Sequence, residues 1–347
     1  LTATDVTVYY DITNPALTIS TPPLLAGNSV HTINWTLTEQ YIDTTLSFNI
    51  DYWNGSSWFD ITDQTLTNGP HSSQAFSHNW TTPSLDRDDI LIRIQVSDLA
   101  GNSATIQTSA FEIDSTAPAS TLTDLPSLLQ GGNSHNIVFT STDANGIDSL
   151  VLQYAANGST FSNIVSTPTS PYSWTIPTDD TSNARVRLIS TDPVGNQTVL
   201  TTSAFEVDST PPSAPTISLQ TPQYTTSTAI SFTMSACNQN FDEVLINTGS
   251  APSQGDAAWQ SCNTTSGGIT HTIAASEGPH SLSAWAKDDA GNVSLTSTDF
   301  TIYYDVTAPV INVTSPGLLA GNTTYTINWS LTEAYINSTR SFNVDYW

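Results

Sequence analysis

Two short phrases recur along this chain in constant phase, and this recurrence constrains the fold more than any other feature. The first phrase contains the pattern Asp-x-Thr-x-Pro. It occurs as VYYDITNP at 8–15, FEIDSTAP at 111–118, FEVDSTPP at 205–212 and IYYDVTAP at 302–309. The second phrase reads SDLAGN at 97–102, TDPVGN at 191–196 and KDDAGN at 287–292. Its last Asn lies 16 or 17 residues before the proline of the following first phrase. The two phrases together predict tandem domains of about 95–100 residues.

A longer repeat encloses these domains. Residues 8–53 align without a gap to residues 302–347, and 27 of the 46 positions are identical. The repeating block therefore holds three domains, and we expect this chain to be a piece of a longer array that begins and ends inside strands. Targeting signals cannot be judged from such a piece.

Strand patterns fill each repeat. Short alternating runs, bounded by Gly, Pro, Asn and Asp, follow one another every 8–12 residues or so, and helical periodicity is absent. This density of strands fits an all-β immunoglobulin-like or fibronectin-type sandwich, repeated as an extended array. The predicted domains are the last strand and linker of a preceding domain at 1–14, three full domains at 15–117, 118–211 and 212–308, and a truncated restart at 309–347.

One aromatic residue occupies the same mid-strand place in every copy. The four are Trp35, Phe139, Phe232 and Trp329. Core packing between two sheets is the ordinary role of such a residue, so we assign them to the core.

The charge balance excludes two classes of partner. The chain has 31 acidic residues against six Lys and Arg, a net charge of −25. No basic patch exists to neutralise phosphates, which argues against nucleic acid and against an anionic membrane surface. No apolar run approaches the length that spans a membrane. Cations remain compatible partners.

Both phrases resemble those of bacterial immunoglobulin-like repeats, which form the stalks of large secreted adhesins and surface proteins of Gram-negative bacteria. The resemblance implies an extracellular, cell-surface location, a rod-like array whose partners are neighbouring domains of the same chain or fibre, and calcium between domains in many relatives. A host or prey surface glycan or protein is a further implied partner. The third domain departs from its neighbours through two cysteines and a Gly/Ser-rich stretch at 249–268.

Acidic residues predict calcium sites where one domain meets the next. In this fold the turn between the second and third strands and the turn between the sixth and seventh strands lie beside the incoming linker. The carboxylates of these turns and of the linker should therefore converge. Calcium takes about six to eight oxygens of this kind. The candidate ligands, by joint, are Asp11, Glu39 and Asp98; Asp114, Asp143 and Asp192; Asp208, Asp288 and Asp289; and Asp305 with Glu333.

A simpler interpretation of the same residues stays open. Asp and Asn bond their own backbone in tight turns, and Gly supplies the positive φ that such turns need. In that interpretation the Asp residues only turn the chain. No loop has the spacing of an EF-hand, so the sequence leaves both interpretations standing.

Two further candidates come from single residue types. Cys237 and Cys262 are the only cysteines, and in an extracellular protein they predict a disulfide, with two buried free thiols as the alternative. Trp58, in the stretch WNGSSW, is the candidate for stacking on a glycan. No catalytic motif is present: the six His are scattered, and G-x-S-x-G, H-E-x-x-H and phosphate loops are missing.

Three functions follow, in decreasing order of support. The first is a structural stalk or fibre region of an adhesin-like surface protein, with calcium as the candidate ion at its joints. The second is a set of glycan- or protein-binding modules. The third is an accessory, non-catalytic region of a secreted enzyme. We predict that the chain itself is not an enzyme.

Overall fold

The computed structural model describes residues 6–40, 47–65, 71–235, 237, 241–262, 268–314, 317, 321 and 324–336. These residues form 29 β-strands and no α-helix, which confirms the predicted all-β class. Among them, no helix is long and apolar enough to cross a membrane.

The first domain is a sandwich of two sheets. Its strands are β1 (Ala16–Ile19), β2 (Leu25–Ala26), β3 (Val30–Glu39), β4 (Ser47–Trp53), β5 (Trp58–Thr65), β6 (His71–Thr81), β7 (Arg87–Ser97), β8 (Ser103–Gln107) and β9 (Phe111–Asp114). One sheet has the order β1-β3-β6, and the other has the order β2-β9-β7-β4-β5, with β8 also paired to β7. This order is that of an immunoglobulin-like or fibronectin-type sandwich.

The N-terminal segment of the first domain passes from one sheet to the other between β1 and β2. Strand β1 pairs antiparallel with β3, whereas β2 pairs parallel with β9, the last strand of the domain. The two prolines between them, Pro22 and Pro23, cannot donate a ladder hydrogen bond, and they end the first pairing. The pairing of β2 with β9 therefore joins the N-terminal and C-terminal parts of the domain directly.

The second and third domains repeat this plan. The second has β10 (Ala119–Leu122), β11 (Leu128–Gln130), β12 (Ser134–Ile137), β13 (Phe139–Thr142), β14 (Ser149–Ala155), β15 (Ser162–Ser166), β16 (Tyr172–Thr175), β17 (Thr181–Thr191), β18 (Gln197–Thr201) and β19 (Phe205–Asp208). The third has β20 (Thr216–Leu219), β21 (Tyr224–Thr225), β22 (Ala229–Ser235), β23 (Glu243–Asn247), β24 (Gln260–Ser261), β25 (Ile269–Thr272), β26 (Gly278–Lys287) and β27 (Thr298–Tyr304). Strands β28 (Val310–Val313) and β29 (Trp329–Thr332) follow.

Their sheets match those of the first domain. In the second domain the larger sheet runs β11-β19-β17-β14-β15 with β18 beside β17, and two short pairs, β10-β13 and β12-β16, form the facing layer. The third domain has β20-β22-β25 and β21-β27-β26-β23-β24. The parallel pairing of a first and a last strand recurs as β11 with β19 and as β21 with β27.

Packing divides the chain into two compact units. The first contains Leu1–Ser127, Ser134–Thr175 and Asn183–Phe205, and the second contains Leu128–Asn133, Ile176–Ser182 and Glu206–Trp347. Three segments of the second sandwich thus belong to the second unit. They hold local contacts there, such as the hydrogen bond from Gln130 Nε2 to Asn292 Oδ1 at 2.9 Å. The domain limits read from the sequence repeats stay a prediction.

The repeated aromatic residue fills the core in the three complete sandwiches. Trp35, Phe139 and Phe232 are 2%, 4% and 0% exposed. In the first domain Trp35 packs edge-on against Phe48, with ring centroids 5.4 Å apart. Trp329 differs, because it is 46% exposed on a two-stranded sheet that has no facing layer among the described residues.

The sequence predicts one unbroken last strand in each domain, and the structure breaks it at a buried hydroxyl. Thr108 lies between β8 and β9, where its side-chain oxygen accepts the main-chain N–H of Ile92 at 3.1 Å. Thr202 and Ser294 do the same for Val186 and Ala286 at 3.1 Å each. Because the hydroxyl replaces a backbone partner, the strand leaves the ladder for a few residues without an unpaired donor.

The predicted disulfide is present in the third domain. Cys237 and Cys262 are bonded, with Cα atoms 5.5 Å apart and a sequence separation of 25. Both residues pack in the domain core, at 7% and 9% exposure. The bond therefore joins the residue that lies shortly after β22 to the residue that directly follows β24.

Removing this bond should destabilise the third domain alone. Closing a loop of this length contributes about 3 kcal/mol in the chain-entropy account. We expect the double variant Cys237→Ala/Cys262→Ala to lower the unfolding midpoint of one calorimetric transition while the transition of the first domain stays in place. Equal midpoints for the variant and the oxidised wild type would contradict this.

Candidate cation sites at the domain joints

The linkers at 11–15, 114–118 and 208–212 are each held by a side-chain amide from an Asp-x-x-Gly-Asn turn. In the turn at 192–196, Asp192 Oδ1 accepts the main-chain N–H groups of Val194, Gly195 and Asn196 at 2.7–2.9 Å. Asn196 Nδ2 donates to Asp192 Oδ2 at 2.7 Å and also to the carbonyl of Asp114 at 3.2 Å. The turn therefore binds the linker, which explains why the two sequence phrases keep constant phase.

The same amide contact recurs at the other joints. Asn102 Nδ2 lies 3.4 Å from the carbonyl of Asp11, and Asn292 Nδ2 lies 3.3 Å from that of Asp208. The Gly of each turn has a positive φ, between 89° and 98°. These turns match the simpler interpretation of the Asp residues, and they leave room for a cation as well, because a carboxylate oxygen has two lone pairs.

A second contact, which the sequence reasoning missed, holds each linker from the preceding domain. The residue directly before β7, β17 and β26 is acidic, and its carboxylate accepts hydrogen bonds from the linker 29 and 30 residues later. Asp86 Oδ1 accepts the N–H of Ser115 at 2.6 Å, and Asp86 Oδ2 accepts the hydroxyl of Thr116 at 2.7 Å. Asp180 and Glu277 are the corresponding residues at the later joints.

A sequence signal for this contact existed. Asp86 opens the acidic stretch DRDD, which is most simply interpreted as a solvated turn. Arg87 and Asp89 lie at the start of β7 and form an exposed ion pair at 2.8 Å, whereas Asp86 precedes the strand, is exposed, and also accepts hydrogen bonds from the linker. The constant spacing of 29 residues from an acid to the linker is visible in the printed sequence once the linker is recognised.

Three carboxylates converge at the joint formed by residues 114–118. Asp114 comes from the linker, Asp143 from the turn between β13 and β14, and Asp192 from the turn after β17, and ligand oxygens of all three lie within 4.8 Å of one another. Asp114 and Asp192 are buried, and Asp143 is half-buried. The predicted grouping of these residues is therefore what the structure contains, and their role as calcium ligands stays a prediction.

One oxygen at this joint lacks the partner that its burial demands. Asp114 is 3% exposed, its Oδ1 accepts the N–H of Thr116 at 2.9 Å, and its Oδ2 is buried without a hydrogen bond. Burial raises the pKa of Asp114, and the nearby charges of Asp192, Asp143 and Asp86 raise it further. A buried, unpartnered carboxylate oxygen among other carboxylates is the donor set that a hard divalent cation neutralises.

The joint formed by residues 11–15 repeats the arrangement. Oxygens of Asp11, Glu39 and Asp98 lie within 4.8 Å of one another, and Glu39 and Asp98 are buried. Asp11 Oδ1 accepts both the N–H and the hydroxyl of Thr13, which lower the pKa of Asp11, while its Oδ2 is buried without a partner. The orphaned oxygen therefore sits on the linker Asp in both clusters.

The predicted ligands at the two other joints are less closely grouped than those of the first two joints. Among the described residues, only the first two groups bring three such oxygens within that distance. Asp208 still influences its neighbour, because its charge adds to burial in raising the pKa of Asp288. Asp305 and Glu333 line a cavity of about 300 Å³ that Glu277 also borders. These residues stay candidate ligands by prediction alone.

Two acidic side chains of the third domain, Asp242 and Asp289, interact with each other. Asp242 lies just before β23 and hydrogen-bonds with Asp289, which is the largest cause raising the pKa of Asp242 to about 6. Burial and the charges of Asp289, Asp288 and Glu243 contribute further. Glu243 itself forms an ion pair with Lys287. Asp242 therefore binds its proton more tightly in the folded domain than an ordinary Asp side chain does.

Trp58, the candidate for stacking on a glycan, packs against other side chains of its own domain. The guanidinium of Arg93 covers its ring at 4.1 Å from the centroid, and Arg93 also bonds Asp51 at 2.6 Å. Trp53 packs beside it with centroids 5.7 Å apart. One ring face is thus occupied inside the domain, which indicates a packing role. Glycan stacking on Trp58 stays a prediction.

Comparison with known proteins adds only a likeness of fold. No family model and no curated protein matches the chain. Among solved structures, the fibronectin(III)-like modules of Clostridium thermocellum CbhA are 16% identical over 55% of this chain and 95% of theirs, with a TM-score of 0.28. A 1.5-MDa bacterial ice-binding adhesin is 14% identical over 84% of this chain and 98% of its own, with a TM-score of 0.36. Chicken CNTN1 FN1–FN3 domains are 14% identical over 82% and 100%, with a TM-score of 0.37. The domain class itself follows from the strand order.

The raised pKa of Asp242 should make the third domain sensitive to pH. A carboxyl with a raised pKa binds its proton more tightly when folded, so its stabilising contribution is present below the usual value of 3.8 and is lost as the pH rises through about 6. We expect Asp242→Asn to raise the unfolding midpoint at pH 7.5, measured in excess chelator, and to leave it unraised at pH 4.5. Asp256→Asn removes the same charge from an exposed turn and should give no such difference between the two pH values.

Truncating Trp58 should cost stability. Trp58→Ala loses the cation–π contact with Arg93 and part of the packing with Trp53, together about 1–2 kcal/mol in urea unfolding. Val30→Ala, which truncates an exposed side chain of the same domain, should stay within about 0.5 kcal/mol of wild type. A Trp58→Ala chain of unchanged stability that loses binding on a glycan array would instead favour the glycan site.

Proposed function

We propose that this chain is a structural repeat region, a stalk or fibre segment, of a large extracellular adhesin-like surface protein, and that calcium binds at its joints. The observation that carries the proposal is the repetition of one joint. At each of the second, third and fourth linkers an acidic residue of the preceding domain holds the linker, and Asn196 and Asn292 hold it from the following domain.

Calcium enters the proposal through the orphaned oxygens. Asp11 Oδ2 and Asp114 Oδ2 are each buried without a hydrogen-bond partner in a cluster of three carboxylates. A divalent cation between carboxylates relieves the repulsion of their charges. Asp11, Glu39 and Asp98 would hold one ion, and Asp114, Asp143 and Asp192 would hold another. A bound cation supplies the missing charge and restrains the linker and the turn together.

The location and the role are proposed on two further features. The disulfide in the third domain fits an oxidising, extracellular compartment. The fold supplies binding surfaces and spacing, and we assign no catalytic step to it. Neighbouring domains of the same chain or fibre are the partners that the repeated joints favour.

Calcium should stabilise the chain through these two clusters. At a calcium concentration about 100 times Kd, binding adds about 2.7 kcal/mol of stability at one site. We expect calcium to raise the unfolding midpoint measured in excess chelator, and the double variant Asp11→Asn/Asp114→Asn to lose most of that rise.

A matched control separates site loss from general damage. Asp124 accepts hydrogen bonds from Ser203 away from both clusters, so Asp124→Asn should keep the full response to calcium. A wild-type chain whose midpoint and hydrodynamic radius are the same with calcium and with chelator would refute the calcium proposal.

A further inference from the structure

The acidic residue before β7 does more than border the linker. Both carboxylate oxygens of Asp86 accept hydrogen bonds from the linker, one from the N–H of Ser115 and one from the hydroxyl of Thr116. Thr116 is the central residue of this contact, because its N–H donates to Asp114 Oδ1 at 2.9 Å. Thr116 therefore connects Asp86 to the carboxylate that carries the orphaned oxygen, and the Asp114 side chain is itself close enough to Asp86 to help lower the pKa of that carboxyl.

The backbone around this contact is closely fitted. The N–H of Gly27 donates to the carbonyl of Asp114 at 2.9 Å, and a Cβ on Gly27 would lie 1.8 Å from Ser115 Oγ. Ser115 Oγ in turn donates to the carbonyl of Leu85 at 2.9 Å. The linker is thus held against its own domain on several sides, and Asp86 is the charged member of that contact set.

The consequence for Asp114 is directional. With Oδ1 engaged by Thr116, the second oxygen is left buried and without a hydrogen-bond donor. The Asp114 carboxylate places one oxygen within 4.8 Å of ligand oxygens of Asp143 and Asp192. If Asp86 did not fix Thr116, the linker and Asp114 would gain alternative conformations, and holding the carboxylate in the cluster would then cost binding energy.

We propose that Asp86 is a positioning residue for the cation site at residues 114–118, acting through Thr116 without contacting the ion. The inference rests on the proposed function, because it requires that the cluster binds a cation. Groups that hold a metal ligand in place typically change affinity by about 10–100-fold when they are removed. The hydrogen bonds from Thr116 and Ser115 keep the pKa of Asp86 below its usual range, so the carboxylate is charged at neutral pH.

Charge and positioning must be separated, because Asp86 also contributes negative charge near Asp114. Thr116→Val removes the hydroxyl bonded to Asp86 and changes no charge. Asp86→Ala removes the bond and the charge together. Thr116→Ser restores the hydroxyl. A positioning role predicts that the first two variants lose affinity and that the third keeps it.

The experiment is calcium titration by calorimetry in a full chain that carries Asp11→Asn, which silences the other cluster. The binding event of interest is the one that Asp114→Asn abolishes. We expect Thr116→Val and Asp86→Ala to weaken it about 10-fold, and Thr116→Ser to leave it within about twofold of the background chain. Thr210→Val, which removes the matching hydroxyl bond to Asp180 at 2.6 Å, should not change it.

Each result is informative. A Thr116→Val chain that binds calcium as tightly as the background overturns the positioning role and leaves the calcium site standing, as does equal loss in Thr116→Val and Thr116→Ser. A background chain that binds no calcium overturns both proposals. If Thr116→Val does not fold in chelator, Thr116→Ala takes its place, because it also removes the hydroxyl without changing charge. Loss of affinity in Thr116→Ala with retention in Thr116→Ser supports the inference, and equal affinity in the two overturns it.

Discussion

The capture of each linker Asp through its main-chain carbonyl is the interaction on which the rest of the joint depends. At residues 114–118 that carbonyl accepts one hydrogen bond from Gly27 of the domain it leaves and one from Asn196 of the domain it enters. With both of its lone pairs used, this carbonyl is fixed in orientation. The backbone of Asp114 is therefore held in the place from which its side chain joins the acidic cluster.

The joints share this backbone contact and differ in what surrounds it. At residues 114–118 the neighbouring groups are carboxylates, and a buried oxygen is left without a donor. At residues 208–212 the amide of Gln130 donates to Asn292, and Asp289 is the largest cause that raises the pKa of the neighbouring Asp242 to about 6. The first arrangement favours a cation, whereas the second contains an amide donor and a carboxyl that is more easily protonated. One repeated linker is therefore compatible with joints of different chemistry.

The sequence predicted the elements and missed the contacts that depend on tertiary structure. Periodicity identified the strand at Ser47–Trp53 and the core position of Trp35, because both follow from local alternation and burial. It also grouped Asp114 with Asp143 and Asp192, since the poles of a known sandwich place those turns together. The break at Thr108 and the role of Asp86 were not predicted, because each depends on which distant backbone group lies opposite the side chain.

The parallel pairing of first and last strands has a mechanical consequence. In the first domain β2 and β9 run side by side in the same direction, so the chain enters along one strand and leaves along its neighbour. A pull on the two ends displaces these strands lengthwise, and their hydrogen bonds are loaded together in shear. Antiparallel neighbours pulled from adjacent ends would instead separate one bond at a time. Tension on such a domain therefore falls first on the pairings β1–β3 and β2–β9, which hold its entering and leaving strands.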